Sequence, residues 1–433
     1  MSGAAREFDL VLFGATGFVG RLTARHLAHE APSRLRIALA GRSLTRLQEL
    51  ARGLDGEARD WPLIQLDAAD TSAVASLAAR TRVVATTVGP YVRFGVPLAA
   101  ACAEAGTDYC DLTGEVLFVH RSIADNHETA RRTGARIVHA CGFDSIPSDL
   151  GVLLTAEAAR ADGADLGRTH LAVRSLKGGF SGGTIDSART QVDELRSDAG
   201  ARRVMADRWA LADGPRPPRR PGGATEKGSG GTAYGPRSLV SGVLGRLAKA
   251  SPVKRDADNG HFTGPFVMAS FNTRVVARSA SLLGYGDDFR YVEYSDYGAG
   301  PAGAVTAGVT SVVLGLGLAG LAFPPTRALL DRVLPKPGEG PGDDTQAAGR
   351  FRMEVTGEAT NGRRYRTTVG APYDPGYGGT AVMFGQAALA LVEDRDRLPD
   401  ATGVLTPATA IGAPLVERLR AHRFTIETTR LPD

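Results

Sequence analysis

Along the first third of the chain the apolar positions switch between two periods. The short run Asp9-Leu-Val-Leu-Phe13 leads into the glycine-rich "GATGFVG" and then into "RLTARHLAHE", whose apolar residues recur every three to four positions. The first pattern predicts a buried strand and the last an amphipathic helix. The alternation repeats. Strand-like runs at 36–43, 62–67, 82–91, 108–112 and 135–142 are separated by helical stretches, one of them at 116–133. About six strands with helices between them predict a doubly wound α/β sheet of Rossmann type, with its ligand crevice outside the strands' carboxyl ends.

Beyond residue 147 the pattern changes. A helix over 148–160 leads to a strand at 168–175, a glycine-rich loop, a helix over 266–283 and a strand within 287–298. Two alternating segments then flank Asn361-Gly362, a hairpin signal. The expected organisation is a dinucleotide domain over 1–147 and an α+β substrate domain over 148–433. Residues 213–235, dense in glycine and proline, read as a linker or a lid. A C-terminal helix at 378–394 should pack back at the domain junction, and Thr406-Pro407 should start the last helix.

One segment of this second part has no polar face. No charged residue occurs from Tyr297 to Thr326, and Gly303, Ala307, Ser311, Gly315 and Ala319 recur every four positions. A helix over 301–323 would therefore carry a stripe of small side chains. It is long enough to span a bilayer, but the chain must return to complete its fold on the same side. Burial in the core and insertion into one leaflet of a membrane are both open.

Composition narrows the function classes without choosing one. With 433 residues, 43% hydrophobic and 23% charged, the chain can bury a large core. A net charge of +4, with no basic block, argues against a nucleic-acid partner. Cys102, Cys110 and Cys141 have neither CxxC nor metal-ligand spacing. They read as reduced thiols of a cytoplasmic protein without a metal site.

Candidate chemistry begins at the glycines. Gly14, Gly17 and Gly20 have the spacing for a tight turn, for backbone approach to a pyrophosphate and for close helix–strand packing. With Thr16, Phe18 and Val19 they would seat that pyrophosphate on a helix N-terminus. Arg42 and Ser43 stand where an NAD site carries an acid, and a guanidinium beside a hydroxyl suits the 2′-phosphate of NADP. Asp67, at the end of the third strand, is placed to meet the adenine amino group. Gly89 and Pro90 follow the fourth strand and complete the cofactor set. Tyr91 beside them, with Asp144 and Ser145 in "ACGFDSIPSDLG", are the candidate catalytic groups, a hydroxyl to stabilise developing negative charge and polar groups at the nicotinamide end. A second reading takes Ser145, Pro147 and Asp149 as an ordinary helix start. Neither a Ser-His-Asp nor a Tyr-x-x-x-Lys arrangement is legible where a short-chain reductase would need it.

The ordered set "GATGFVG", "AGRS", "TTVGPYVRFG", "GTDYCDLTGE", "CGFDSIPSDLG", "SGGT", "LPKPGEGP", "DPGYGGTA" and "GVLTPATAIG" resembles the saccharopine dehydrogenase-like oxidoreductases. Within them the chain is most similar to the trans-acting enoyl reductases of polyketide-derived glycolipid synthesis, over nearly its whole length. The resemblance implies NADPH as reductant and an enoyl group of a lipid or polyketide-derived intermediate as acceptor. A membrane surface reached through 301–323 and a homodimer are the further partners it leaves open. Two alternatives stand beside it: a saccharopine-type dehydrogenase of a small imine or amino acid, and a non-catalytic NADP-binding protein on lipid surfaces.

Overall fold

The computed structural model describes residues 6–178, 182–214, 253–256, 259–322, 326 and 348–432. The first part builds a parallel sheet from β1 (Phe8–Phe13), β2 (Ile37–Gly41), β3 (Leu63–Gln65), β4 (Thr81–Thr86), β5 (Asp108–Asp111) and β6 (Arg136–Val138). The connections are α1 (Phe18–Glu30), α2 (Leu44–Arg52), α3 (Thr71–Arg80), α4 (Tyr91–Ala105) and α5 (Val116–Thr133). The strands lie in the order β6-β5-β4-β1-β2-β3. The direction of travel reverses between β1 and β4, so the crevice opens at their carboxyl ends. Leu10 and Leu12 of β1 join the core on one face of the sheet, Val11 and Phe13 the core on the other. A strand buried on both faces is apolar nearly throughout, and the one acid of this run, Asp9, is held by Arg36 at the strand's start.

The second part follows through α6 (Ile146–Ala161), β7 (Leu166–Lys177), α7 (Gly182–Ser197), α8 (Ala199–Ala206), β8 (Lys254–Arg255) and β9 (Phe262–Gly264). Next come α9 (Ala269–Leu283), β10 (Arg290–Asp296), α10 (Pro301–Ala322), β11 (Arg350–Ala359) and β12 (Arg364–Ala371). The chain ends with α11 (Thr380–Glu393), β13 (Gly403–Leu405), α12 (Pro407–Ala410), α13 (Ala413–Ala421) and β14 (Thr425–Arg430). The second sheet has the order β14-β12-β11-β7-β10-β9-β8, with β7 parallel to β10 and antiparallel to β11. The helix α6 carries the chain from the first sheet onto this one. A Cβ at its Gly151 would come within 2.8 Å of Val355 on β11, so the helix backbone rests directly on the sheet.

The C-terminal part then returns to the first sheet. Met383, Phe384, Ala387 and Leu391 of α11 enter the core that holds Leu10 and Leu12, and the helix packs on α1 and β4. β13 becomes a seventh parallel strand beside β6, with Val404 opposite Ile137. The first sheet therefore extends beyond residue 147, and a boundary there leaves one of its strands behind. Three residues are too few for periodicity to mark that strand. Buried Arg278 on α9 holds it, donating from Nε to the Val404 carbonyl at 3.1 Å and from Nη1 to the Leu211 carbonyl at 2.9 Å. Thr406 does cap a helix through the Thr409 amide, but that helix is the short α12, and α13 follows it.

In α10 the usual arrangement of a surface helix is inverted. Gly303, Ala307 and Ser311 face inward, and Ser311 Oγ lies 3.2 Å from where a Cβ on Gly264 of β9 would stand. Val305, Val309, Val312, Val313 and Leu316 face outward, each more than half exposed. The helix packs through its stripe of small residues, so the interior takes the small side chains and solvent receives the large ones. Residues 215–235 of the glycine- and proline-rich segment lie outside the described residues.

Candidate active site

The glycine turn between β1 and α1 has the shape of a phosphate cradle. Gly14 adopts φ +89°, a region open to glycine, and a Cβ there would meet Thr87 Oγ1 at 2.6 Å. A Cβ on Gly20 would stand 2.2 Å from the Gly14 carbonyl oxygen, so only glycine lets α1 approach β1 this closely. Thr87 Oγ1 donates to that same carbonyl at 3.0 Å and fixes the turn from β4. Gly17 is the exposed N-cap; no side chain caps the helix and its first turn holds no acid. The amides of Phe18, Val19 and Gly20 precede the first intrahelical acceptor, and a helix start of this kind binds anions. Thr16 closes the turn, its carbonyl accepting Arg21 Nη1 at 2.8 Å. The residues present therefore fit a dinucleotide pyrophosphate.

The adenosine end lies past β2. The Arg42 guanidinium is exposed and has no partner among the described residues. Ser43 caps α2 by accepting the Arg46 amide at 3.4 Å, which leaves its proton free to donate. Asp67 accepts the Ala69 amide at 3.0 Å through one oxygen and exposes the other. Around the cradle, Phe18 meets Tyr377 edge-to-face at 4.8 Å and Arg21 lies over the Phe18 ring at 5.7 Å. The C-terminal part of the chain thus contributes to the crevice wall.

Buried carboxylates brace the loops at the other end. Glu115 accepts the Tyr91 and Val92 amides at 3.0 and 2.8 Å and the Ser187 hydroxyl at 2.6 Å, so the start of α4 after Gly89 and Pro90 is already capped. Burial raises the Glu115 pKa against these donors. Asp111 receives the Ala140 amide at 3.0 Å and His139 Nδ1 at 2.7 Å, while Ser122 Oγ donates to His139 Nε2 at 2.8 Å. Asp111 thus fixes the imidazole tautomer. A Ser-His-Asp chain that sequence spacing did not reveal is therefore present, but all of it is buried in the core, where it serves as a brace. It holds Ala140 at φ +65°, outside the usual range for a residue with a Cβ, and turns the chain out of β6 toward the crevice.

The three candidate catalytic groups separate clearly. Tyr91 is buried, stacked on Phe118 at 5.7 Å; its hydroxyl donates to the Thr86 carbonyl at 3.3 Å and accepts the Leu112 amide at 3.2 Å. Its one proton is committed to the backbone and burial raises its pKa well above the usual phenol value, which argues against a role as donor. Ser145 precedes α6 at the N-cap position without capping it. Its hydroxyl donates to Asn272 Oδ1 at 3.0 Å, and Asn272 Nδ2 donates onward to Ser148 at 3.2 Å and Glu293 at 3.1 Å, which fixes the amide's orientation. Ser145 is thus a tie between α6 and α9. Asp149, read above as a first-turn acid, is buried and accepts the Ser279 hydroxyl and, at 2.8 Å, the Ala408 amide.

Asp144 differs from both. It is partly exposed and has no hydrogen-bond partner among the described residues. Desolvation alone raises its pKa to about 6. The residues before it are packed into the core: the Phe143 ring meets Phe351 edge-on at 4.8 Å, and Gly142 leaves room for Leu112. Asn272, Glu293, Glu115 and Tyr377 were not singled out from sequence, since each acts through a partner far along the chain.

Residues 10–138 match the saccharopine dehydrogenase NADP-binding domain family. Over the full length of both chains the protein is 46% identical to a relative from Mycobacterium tuberculosis. It is 44% identical, again over the full length of both, to the trans-acting enoyl reductase of Mycobacterium bovis, and 43% to that of Mycobacterium ulcerans. Among solved structures it is similar to saccharopine dehydrogenase (L-Glu forming) from Saccharomyces cerevisiae, with a TM-score of 0.54 and 13% identity. That alignment covers 98% of this chain and 100% of the yeast enzyme, a likeness of fold.

Proposed function

Because the chain belongs to the trans-acting enoyl reductases of the saccharopine dehydrogenase-like family, we propose that it reduces an enoyl thioester or ester with NADPH and that Asp144 returns the proton. NADPH, when bound, supplies the hydride with its two electrons to the β-carbon. The residues of the chain do the rest. The amides of Phe18, Val19 and Gly20 seat the pyrophosphate, and Arg42 with Ser43 selects the 2′-phosphate. As the C=C electron pair moves toward the carbonyl oxygen, the α-carbon takes the Asp144 proton, and water restores that proton for the next turnover.

The observation that carries this reading is the state of Asp144. It is an acid at the crevice with no internal partner and a pKa of about 6, while the protons of Tyr91 and Ser145 are committed. The substrate class we infer is a lipid or polyketide-derived acyl chain. Leu112 beside Gly142 and Met268 beside Gly114 are only partly buried and offer an acyl chain apolar contact. A long acyl chain gains by burying its methylene groups in lipid, which makes a membrane surface the expected place of work. The test is NADPH oxidation with long-chain enoyl thioesters against keto acids supplied with an amine. Oxidation with the enoyl substrates alone is expected; oxidation only with the keto acids would replace this reading with an imine dehydrogenase.

A further inference from the structure

The helix α10 presents large apolar side chains to solvent for most of its length. On a helical wheel Val305, Val309, Val312, Val313 and Leu316 fall on one face, opposite Gly303, Ala307 and Ser311, which sit against β9. A soluble surface helix buries its large apolar residues and exposes charge. This one does the reverse, and no charged residue interrupts it from Tyr297 to Thr326. At 22 residues it is ~33 Å long, enough to cross a bilayer. Its inner face is fixed to the second sheet, so it lies along a surface and does not span.

From this geometry we infer that α10 inserts its valine face into the outer layer of an anionic lipid membrane and holds the crevice beside it. Two further observations favour lipid as the occupant. Lys254 and Arg255 of β8 are exposed beside β9, the strand under the helix, and Arg255 stands over the Phe262 ring at 5.9 Å. Basic and aromatic groups bordering an apolar face suit an anionic headgroup layer. A single helix face ~33 Å by ~10 Å offers roughly 300 Å², short of the ~800 Å² each partner gives to a stable protein interface. The helix is also tied to the site. α7 touches α10, and from α7 Ser187 donates to Glu115 and Gln191 donates to the Gly114 carbonyl at 3.4 Å. One helix therefore separates the lipid-facing surface from the crevice loop. This inference extends the lipid reading of the substrate and rests on it for its purpose, but its test reads binding without turnover, so the two fail separately.

The test is flotation of the full-length protein with vesicles of phosphatidylcholine, with and without phosphatidylglycerol. The wild type should float with the anionic vesicles. Val309→Asp with Val313→Asp should lower that partition by about tenfold or more while NADPH binding is kept. Lys254→Glu with Arg255→Glu should lower it about as much on anionic vesicles and leave neutral ones unaffected. A wild type that stays in the aqueous fraction with both vesicle types would overturn the inference. So would a dimer in light scattering that the aspartate pair splits, since the face would then belong to a second copy.

Discussion

Arg42 and Asp144 are the two residues on which cofactor choice and chemistry turn. The guanidinium of Arg42 projects into solvent past β2 with no protein partner among the described residues, so any charge-assisted bond it makes is to ligand. Arg42→Ala should weaken NADPH binding by about 10- to 100-fold and leave NADH binding unchanged, as read by titration calorimetry with each nucleotide. Asp144 must carry its proton to act, so activity should fall as pH rises through about 6. Asp144→Asn should lower kcat by about 10²- to 10⁴-fold with the NADPH dissociation constant unchanged, and the pH–rate profile should lose that alkaline fall. A variant that kept the fall would assign the proton to another group.

At the level of elements, a buried polar network fastens the crevice end of α6 to α9 and β10. Glu293 on β10 accepts Asn272 Nδ2 at 3.1 Å and the Tyr291 hydroxyl at 2.7 Å. Burial outweighs these donors and raises its pKa from 4.5 to about 7. Between those two values the folded protein binds more protons than the unfolded one, so Glu293 makes stability fall as pH rises through that window. The contribution is ~3 kcal/mol over the window. Thermal denaturation from about pH 5 to 8 should show the midpoint dropping toward the alkaline side, and Glu293→Gln should flatten that drop. An unchanged slope in the variant would place the titrating group elsewhere.

Over the whole molecule, the parallel sheet and its glycine turn were legible because local pattern determines them. Four consecutive apolar residues, Leu10 to Phe13, followed by Gly14, Gly17 and Gly20 need no distant partner to read as strand, turn and helix. The parts that escaped depend on long-range pairing. β13 is three residues added from the far end of the chain, and Ser145 finds its partner in Asn272, well beyond any spacing rule. The small stripe of α10 was visible, yet periodicity alone does not say which face meets solvent. For Tyr91 the motif gives the position at a strand end, while the direction of its hydroxyl, inward to the Thr86 carbonyl, depends on packing that no spacing encodes. That hydride comes from NADPH and the proton from solvent by way of Asp144 is read from the product's label after turnover of an enoyl thioester in deuterated water with unlabelled NADPH. The prediction is one deuterium, on the α-carbon, with the β-hydrogen from NADPH. Deuterium on the β-carbon, or an enoyl substrate returned unreduced while NADPH is bound, would contradict it.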